Sequence, residues 1–266
     1  MKARLQGRVA VVTGASSGIG RALARALAQE GARVALLARR RLDLEALAAE
    51  IASRGGEALP VVVDVTCQEE VHRASEAVLD AWGRVDILVA NAGVYVQAPL
   101  AEMTIEDLER SFAVNFYGSV RCALASLPAM RARHSGHLVF MSTQDVMIPI
   151  PPDGPYVAAK SALTGLAQVM RQELRSVGIR VTVVHPGRID TPLIAHLRMP
   201  SISPKASPER LACEVVRSII RGRRRLIYPA TGYLYVLREI LPALGDWLIG
   251  ALKLSGWPVG ARERLD

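Results

Sequence analysis

The sequence predicts an α/β fold: a doubly wound, mainly parallel sheet of seven strands with helices on both faces. Two observations lead to this prediction. Short, nearly continuous apolar or β-branched runs recur along the chain, and segments with helical spacing of apolar residues lie between them. Strands that are buried on both faces of a parallel sheet have this composition, whereas half-exposed antiparallel strands alternate apolar and polar residues.

The predicted elements follow one another in a regular order. The strands are expected at residues 8–12, 33–37, 59–63, 86–89, 137–141, 179–184 and 225–228, and helical spacing is found around 22–27 and at 42–51, 71–79, 108–127 and 158–174. In such a sheet ligands bind beyond the carboxyl ends of the strands. Residues that directly follow each apolar run are therefore the candidate functional residues.

Length and composition restrict the class of protein. The chain has 266 residues, of which 50% are hydrophobic, which suffices for one sizeable core and excludes a disordered polymer. Cys67, Cys122 and Cys213 are far apart, so neither a disulfide framework nor a cysteine-based zinc site is expected. No signal peptide and no apolar stretch of membrane-spanning length is evident, which favours a cytoplasmic location.

The basic charge balance allows several kinds of partner. The net charge is +8, and a basic surface can attract nucleic acid, anionic lipid or a phosphorylated cofactor. The arginine-rich segment 217–225 has no stacking platform beside it, so nucleic-acid binding is not expected. The histidines lack convergent acidic or cysteine partners, and we expect no metal site.

A glycine-rich turn follows the first predicted strand and leads directly into helical spacing. Glycine lets the backbone approach a pyrophosphate closely, and the N-terminus of the next helix offers unpaired N–H groups to that anion. The alternative is a tight strand-to-helix turn that uses glycine for packing alone. The candidate dinucleotide-binding residues of this turn are Gly14, Ser16, Ser17, Gly18, Ile19 and Gly20.

The end of the second predicted strand indicates which dinucleotide would bind. An NAD site usually presents Asp or Glu there, but this sequence has Arg39 and Arg40, whose guanidinium groups suit the 2′-phosphate of NADP. NADP(H) is therefore preferred and NAD(H) stays possible; the alternative is that the arginines are simply solvated. Asp64 and Val65 could contact the adenine. Asn91, Ala92 and Gly93 form a small-residue turn beside the glycine-rich turn.

The ordered set of motifs resembles the short-chain dehydrogenase/reductase family. The set comprises Thr13-Gly14-xxx-Gly18-Ile19-Gly20, Asp86 with Asn91-Ala92-Gly93, Asn115-Phe116-Tyr117-Gly118, Tyr156-Val157-Ala158-Ala159-Lys160 and Pro186-Gly187. The resemblance covers about residues 5–230. It implies a Rossmann-type fold, a dinucleotide-binding and catalytic domain over residues 1–232, and an oxidoreductase that transfers hydride between a nicotinamide cofactor and an alcohol or carbonyl compound.

The resemblance also implies the catalytic residues. Tyr156 and Lys160 lie four residues apart at the start of a predicted helix and so share one face. A free phenol has a pKa of about 10, and we expect the Lys160 ammonium to favour the phenolate, so that Tyr156 acts as general acid and base. Lys160 would also bind the nicotinamide ribose. Asn115 would hold a water that links Lys160 to solvent, or alternatively mark a helix kink.

The substrate-orienting hydroxyl departs from the family pattern. Counting back thirteen residues from Tyr156 reaches Thr143 rather than the usual serine, with Ser142 just before it as the alternative. Threonine keeps a hydroxyl that can donate a hydrogen bond to the substrate oxygen. After the sixth strand the resemblance places Pro186, Gly187, Ile189 and Thr191 at the nicotinamide, while His185 is expected to be structural.

Three segments that we expect over the substrate are mostly apolar, namely 94–100, 146–152 and 193–200, which favours a hydrophobic alcohol, ketone or aldehyde. Residues 233–266 are predicted to form an amphipathic extension on the same domain, on a partner subunit or on a membrane surface. A homo-oligomer, a dimer or tetramer, is expected. Two alternatives stay open: a non-catalytic NADP-binding sensor or partner-binding subunit, and a lipid or steroid dehydrogenase that docks peripherally on membranes.

Overall fold

The computed structural model describes residues 3–195, 197, 205–230 and 244. Seven parallel strands form one sheet in the order β3-β2-β1-β4-β5-β6-β7, which confirms the predicted fold class. The strands are β1 (Val9–Thr13), β2 (Arg33–Ala38), β3 (Glu57–Val62), β4 (Ile87–Ala90), β5 (Gly136–Met141), β6 (Ile179–Pro186) and β7 (Arg225–Tyr228). The chain order reverses between β1 and β4, and this switch point opens a crevice at the carboxyl edge of the sheet.

Helices cover both faces of the sheet. They are α1 (Gly18–Gln29), α2 (Arg41–Ser53), α3 (Gln68–Trp82), α4 (Ile105–Phe112), α5 (Ser119–Ala132), α6 (Gly154–Leu174) and α7 (Pro208–Arg221). Helix α7 was not among the predicted helices, although its end signals are in the sequence. Ser207 accepts hydrogen bonds from two backbone N–H groups at the N-terminus, and Gly222 ends the helix with a φ of 64°.

The core has two halves, one on each face of the sheet. Alternate residues of β1 contribute to each half: Ala10 and Val12 pack on the side of α1, α2 and α7, while Val9 and Val11 pack on the side of α3, α5 and α6. All four are buried. This double burial explains why the strands are nearly continuous apolar runs rather than alternating sequences.

The predicted helix at 108–127 is interrupted. Helix α4 ends at Phe112, a π-helical segment spans Ala113–Gly118, and α5 begins at Ser119. The side chain of Asn115 bonds the backbone of Val94 instead of facing solvent, and the Asn115 carbonyl accepts a hydrogen bond from the Ser119 hydroxyl at 3.0 Å. Such wide turns occur often at functional sites.

Two polar anchors fix the strands next to the crevice. The carboxylate of Asp86 is buried and accepts hydrogen bonds from Arg8, Arg84 and the Val9 backbone, which ties β4 to the start of β1. The hydroxyl of Thr13 then joins the opposite end of β1 to the loop after β4. A shift of β1 against β4 would remove hydrogen-bond partners of the buried Asp86 carboxylate, which costs free energy. The bonds to Asp86 therefore favour one register of these two strands.

The predicted extension at 233–266 lies outside the described residues except for Leu244, and so do His196 and residues 198–200 of the third predicted substrate segment. In the part of the chain that the structure describes, no helix is long and apolar enough to cross a membrane.

Candidate active site

One cavity of about 650 Å³ opens at the carboxyl edge of the sheet. All of the predicted site residues except Gly20 line it. They are Gly14, Ser16, Ser17, Gly18, Ile19, Arg39, Arg40, Asp64, Val65, Asn91, Ala92, Gly93, Asn115, Ser142, Thr143, Tyr156, Lys160, Pro186, Gly187, Ile189 and Thr191. The fold therefore brings together residues that are widely separated in the sequence.

The turn after β1 requires glycine for geometric reasons. Gly14 and Gly18 have φ values of 66° and 52°, which favour glycine. A Cβ on Gly20 would lie 2.2 Å from the carbonyl oxygen of Gly14, so this glycine keeps the turn and the helix in close contact. Ser17 precedes α1 and makes no side-chain capping bond, and Ser17, Gly18 and Ile19 line the cavity, so the N-terminus of α1 is available there to an anion. This arrangement fits a dinucleotide pyrophosphate.

A second polar anchor, the hydroxyl of Thr13, shapes the neighbouring loop. It accepts hydrogen bonds from the backbone N–H groups of Asn91 and Ala92, each at 2.9 Å. The Asn91 side chain donates to the Thr13 carbonyl at 3.0 Å. The sequence motif that contains Thr13 did not indicate this role. Thr13 joins the glycine-rich turn to the Asn91-Ala92-Gly93 turn, and both turns line the cavity.

Two arginines stand at the rim next to the glycine-rich turn. Arg40 donates a hydrogen bond to the Ser16 hydroxyl at 3.0 Å and pairs with Asp43 at 2.5 Å. Arg39 is 75% exposed and lies 3.8 Å from a carboxylate oxygen of Asp64. The Ser16 hydroxyl and the Arg40 guanidinium group thus meet at one point of the rim, and Arg39 lines the same cavity. These groups provide donors that suit a phosphate monoester.

Asp64 has local partners. Its Oδ1 accepts hydrogen bonds from the backbone N–H and the hydroxyl of Thr66, at 2.9 and 2.8 Å. Burial opposes ionisation, but these bonds and the charge of Arg39 hold the pKa of Asp64 below its usual value. Contact of Asp64 and Val65 with adenine stays a prediction; both line the cavity.

Tyr156 lies in the first turn of α6, almost fully buried. Burial raises the pKa of its phenol, and the charges of Asp145 and Asp153 raise it further, whereas the interaction with the Thr143 side chain lowers it. The raised pKa is opposite to the lowering that the sequence led us to expect from Lys160. Tyr156 is held as a protonated phenol, the form that donates a proton.

The ammonium of Lys160 faces the sheet rather than the phenol oxygen. Its Nζ donates a hydrogen bond to the carbonyl of Met141 at 2.8 Å and lies 5.9 Å from the centre of the Tyr156 ring. Burial lowers the pKa of Lys160 to about 8. The lysine is thus anchored at the end of β5, close to Gly93 and to the cavity.

The structure distinguishes the two candidate hydroxyls. Ser142 Oγ hydrogen-bonds the hydroxyl of Thr164 at 2.8 Å, and Thr164 in turn donates to the Lys160 carbonyl. Thr143 Oγ1 instead donates to Asp145 at 2.6 Å and interacts with Tyr156. Thr143 therefore has the position expected of a substrate-orienting residue, and Ser142 holds α6 against β5.

Asn115 is fully buried, and its side chain is used by the protein itself. It donates to the Val94 carbonyl at 2.9 Å and to Ser111 at 3.1 Å, and it accepts from the Val94 N–H at 3.1 Å. The side chain thus holds the segment after Gly93 in place at the cavity wall. The water-holding role of Asn115 stays a prediction.

The segment after β6 closes the cavity on its far side. Gly187 N–H donates to the Tyr228 carbonyl at 2.7 Å, and a Cβ on Gly18 would lie 3.0 Å from the Thr191 methyl group, so this segment reaches the glycine-rich turn. His185 is buried, its Nδ1 lies 3.1 Å from the Thr143 carbonyl, and burial lowers its pKa to about 4. A neutral, structural histidine agrees with the sequence interpretation.

Two polar residues near Tyr156 were not predicted, Asp145 and Arg188, and both line the cavity. Tyr95, from the predicted substrate segment 94–100, contacts Tyr156 edge-on, with ring centres 4.8 Å apart. Asp145 lies in the short turn after β5, so a search of the residues that follow this strand could have identified it. Among the described residues, no group of His, Cys, Asp and Glu could hold a metal ion.

Known proteins are similar to this chain in sequence and in fold. The short chain dehydrogenase family matches residues 8–200. An uncharacterized oxidoreductase of Mycobacterium tuberculosis is 33% identical over 91% of this chain and 72% of its own length. A fatty acyl-CoA reductase of Acinetobacter baylyi is 32% identical over 84% of this chain and 76% of its own length. A 1-deoxy-11-beta-hydroxypentalenate dehydrogenase of Streptomyces exfoliatus is 37% identical over 74% and 72%.

Solved structures agree with these relatives. An alcohol dehydrogenase of Thermococcus sibiricus, complexed with 5-hydroxy-NADP, superimposes with a TM-score of 0.75 at 32% identity, over 83% of this chain and 95% of the other. A short chain dehydrogenase/reductase of Burkholderia phymatum in complex with NAD shares the fold, with a TM-score of 0.82 at 24% identity, over 91% and 96%. The motifs, the sheet and these relatives agree, and the chain belongs to the short-chain dehydrogenase/reductase family of oxidoreductases.

Proposed function

We propose that the protein is an NADP-preferring oxidoreductase that interconverts a hydrophobic alcohol and its ketone or aldehyde, with Tyr156 as general acid and base. One observation carries this proposal. A single cavity has phosphate-binding groups at one end, where Ser16 meets Arg40, and a phenol with an adjacent hydroxyl at the other, where Tyr156 meets Thr143.

The protein's residues would divide the chemistry as follows. A bound nicotinamide cofactor supplies or accepts the hydride. In the reducing direction the phenolic oxygen of Tyr156 donates its proton to the oxygen that develops negative charge on the substrate. The Thr143 hydroxyl, which donates to Asp145 in this structure, turns its proton to that oxygen and orients it. With its raised pKa the phenol is protonated at neutral pH, the form that donates this proton. Oxidation of an alcohol uses the same group as a base.

The preference for NADP(H) rests on the charge at the rim. Arg39 and Arg40 directly follow β2, where an NAD site usually presents Asp or Glu. Arg40 is linked to Ser16, so its guanidinium group is held beside the glycine-rich turn. The Thermococcus sibiricus relative, whose structure holds a modified NADP, supports the same preference. NAD(H) would bind more weakly because it lacks the phosphate.

The apolar outer wall of the cavity supports a hydrophobic substrate. Val94, Ile150, Leu193, Ile194 and Leu197 line it, from the three segments that were expected over the substrate. Two relatives named above are called a fatty acyl-CoA reductase and a hydroxypentalenate dehydrogenase, which are named for compounds with large apolar parts. The cytoplasmic location and the homo-oligomeric state stay predictions from the sequence.

A Tyr156→Phe variant tests the proposal against a non-catalytic NADP-binding sensor. NADPH and NADH are titrated into the purified protein, and absorbance at the nicotinamide band is then followed with hydrophobic ketones. We expect the wild type to bind NADPH more tightly and to consume it, and the variant to bind NADPH equally well with turnover reduced by about 10²- to 10⁴-fold. NADPH binding without consumption by the wild type would favour the sensor, and NADH preference would contradict the role of the arginines.

A further inference from the structure

The wall beside Tyr156 contains a carboxylate that the proposed proton transfer does not use. Asp145 lies in a short turn after β5, and its side chain lines the cavity together with Thr143 and Tyr156. Its Oδ2 accepts a hydrogen bond from the Thr143 hydroxyl at 2.6 Å, and its own backbone N–H donates to Thr143 Oγ1 at 3.2 Å. These bonds fix the carboxylate next to the hydroxyl that orients the substrate oxygen.

The other oxygen of this carboxylate has capacity for a ligand. Within residues 3–195 and 205–230, no side chain or backbone group donates a hydrogen bond to Oδ1 of Asp145. Burial raises the pKa of Asp145 to about 6, Asp153 adds to the rise, and Thr143 and Arg188 oppose it. Asp145 is partly exposed where it lines the cavity, so this oxygen is open to a bound molecule, and the protein's own donors compensate the carboxylate incompletely.

The neighbouring Asp153 is different because both of its oxygens are used. One accepts a hydrogen bond from the Tyr95 hydroxyl at 2.5 Å and the other from the Gln97 amide at 2.7 Å. Asp153 is buried and does not line the cavity. It contributes negative charge near Asp145, but it offers no acceptor to a bound molecule.

We propose that Asp145 Oδ1 accepts a hydrogen bond from a hydroxyl or amino group of the substrate, on a carbon close to the reacting carbonyl. This inference rests on the proposed function and narrows its substrate class. The preferred compounds would be hydroxy ketones or amino ketones, and the corresponding diols or amino alcohols, whose apolar remainder lies against Leu193 and Ile194. A site that bonds a substrate donor discriminates strongly against the analogue that lacks it.

Matched substrates test this proposal. We compare an eight-carbon methyl ketone with its α-hydroxy and α-amino analogues in NADPH consumption. Because a hydrogen bond to a charged group contributes about 1.5–3 kcal/mol, the analogues should exceed the plain ketone in kcat/KM by about 10- to 100-fold. Asp145→Asn keeps an acceptor for Thr143 but places an amide N–H₂ at the other position, and it should remove the preference. Equal use of all three ketones by the wild type would overturn the inference and leave the proposed function intact.

Asp153→Asn is the comparison variant, since it removes a neighbouring charge at a residue that does not itself line the cavity. The hydroxy ketone should keep its advantage in this variant. The α-amino analogue should lose part of its advantage if it binds as a cation, because the charge of Asp153 attracts an ammonium but has little effect on a neutral hydroxyl. Loss of the hydroxy preference in Asp153→Asn, with retention in Asp145→Asn, would overturn the assignment to Asp145.

A binding measurement gives an answer that does not depend on turnover. The dissociation constants of an eight-carbon alcohol, the matched vicinal diol and the matched amino alcohol are measured with the protein in the presence of NADPH, which these alcohols do not oxidise. We expect the diol and the amino alcohol to bind about tenfold tighter than the alcohol, and Asp145→Asn to equalise them. Equal constants in the wild type would overturn the inference, whereas failure to bind NADPH would contradict the proposed function.

Discussion

Lys160 Nζ donates a hydrogen bond to the carbonyl oxygen of Met141 at 2.8 Å, which attaches the first turns of α6 to the last residue of β5. Tyr156 is one helical turn earlier on the same helix, so this bond also fixes where the phenol enters the cavity. The lysine is almost fully buried, and the cost of desolvating its charge appears as a pKa lowered to about 8.

The first prediction concerns the pH dependence of stability. The unfolded chain keeps the Lys160 proton up to the ordinary pKa of 10.5, whereas the folded protein releases it near pH 8. Between these values the unfolded state binds more protons, so the contribution of Lys160 to the free energy of unfolding rises with pH and is lost as pH falls through 8. Relative to Lys160→Met, the free energy of unfolding of the wild type should increase by about 3 kcal/mol as pH rises across this window. Urea unfolding of both proteins across the window measures the difference, and parallel pH profiles would contradict the prediction.

The second prediction separates the two hydroxyls after β5. Thr143→Val removes the group that faces Tyr156 and should reduce kcat by about 10²-fold, because a lost donor to a developing oxyanion has an effect of this size. Thr143→Ser should keep activity within a few-fold. Ser142→Ala removes a bond to Thr164 and should cost about 1 kcal/mol of stability with little effect on kcat. A larger loss of kcat in Ser142→Ala than in Thr143→Val would reverse the assignment.

The fold and the meeting of the glycine-rich turn with the neighbouring strand ends could be predicted because short sequence signals determine them. Strands buried on both faces must be apolar throughout, and the turn at Gly14 and Gly20 admits no Cβ without a clash or strain. Residues that follow the strands therefore converge whatever the details of the helices. The helix α7 was missed because its signals, Ser207 and Gly222, lie at its ends rather than in a long apolar pattern.

The charges that act on Tyr156 could not be predicted from the spacing of residues in the sequence. Tyr156 and Lys160 share a helix face as expected, but the side chain of Lys160 extends to Met141, and the charges that dominate the phenol come from Asp145 and Asp153. These contacts depend on how the turn after β5 and the loop before α6 fold toward each other. The π-helical segment at Asn115 likewise depends on a bond to the distant Val94.

The third prediction tests the proposed phosphate site. Arg40→Ala removes a guanidinium group that bonds Ser16 at the cavity rim, and the dissociation constant for NADPH should rise by about 10- to 100-fold, while that for NADH should change little. Arg41→Ala is the control, because Arg41 is exposed, pairs only weakly with Glu45 at 3.7 Å and does not line the cavity. Fluorescence titrations with both cofactors measure the constants. An equal effect of Arg40→Ala on NADPH and NADH would contradict a phosphate-specific role.

The last prediction concerns the close contact between α1 and the turn before it. A methyl group on Gly20 would lie 2.2 Å from the Gly14 carbonyl oxygen and 2.7 Å from the Asn91 amide nitrogen, so the backbone of the turn must move. Gly20→Ala should therefore lower the free energy of unfolding by about 2 kcal/mol or more and weaken NADPH binding at least about tenfold, because the displaced turn forms the anion site.

Gly165→Ala provides a matched control for this substitution. Gly165 lies inside α6, is exposed, and a Cβ there would meet nothing within 4 Å. The same change should raise the free energy of unfolding by about 1 kcal/mol, since alanine is the better helix former, and leave cofactor affinity unchanged. Urea unfolding and NADPH titration of both variants separate the two effects. If Gly20→Ala bound NADPH as tightly as Gly165→Ala, the close contact would not determine the shape of the anion site.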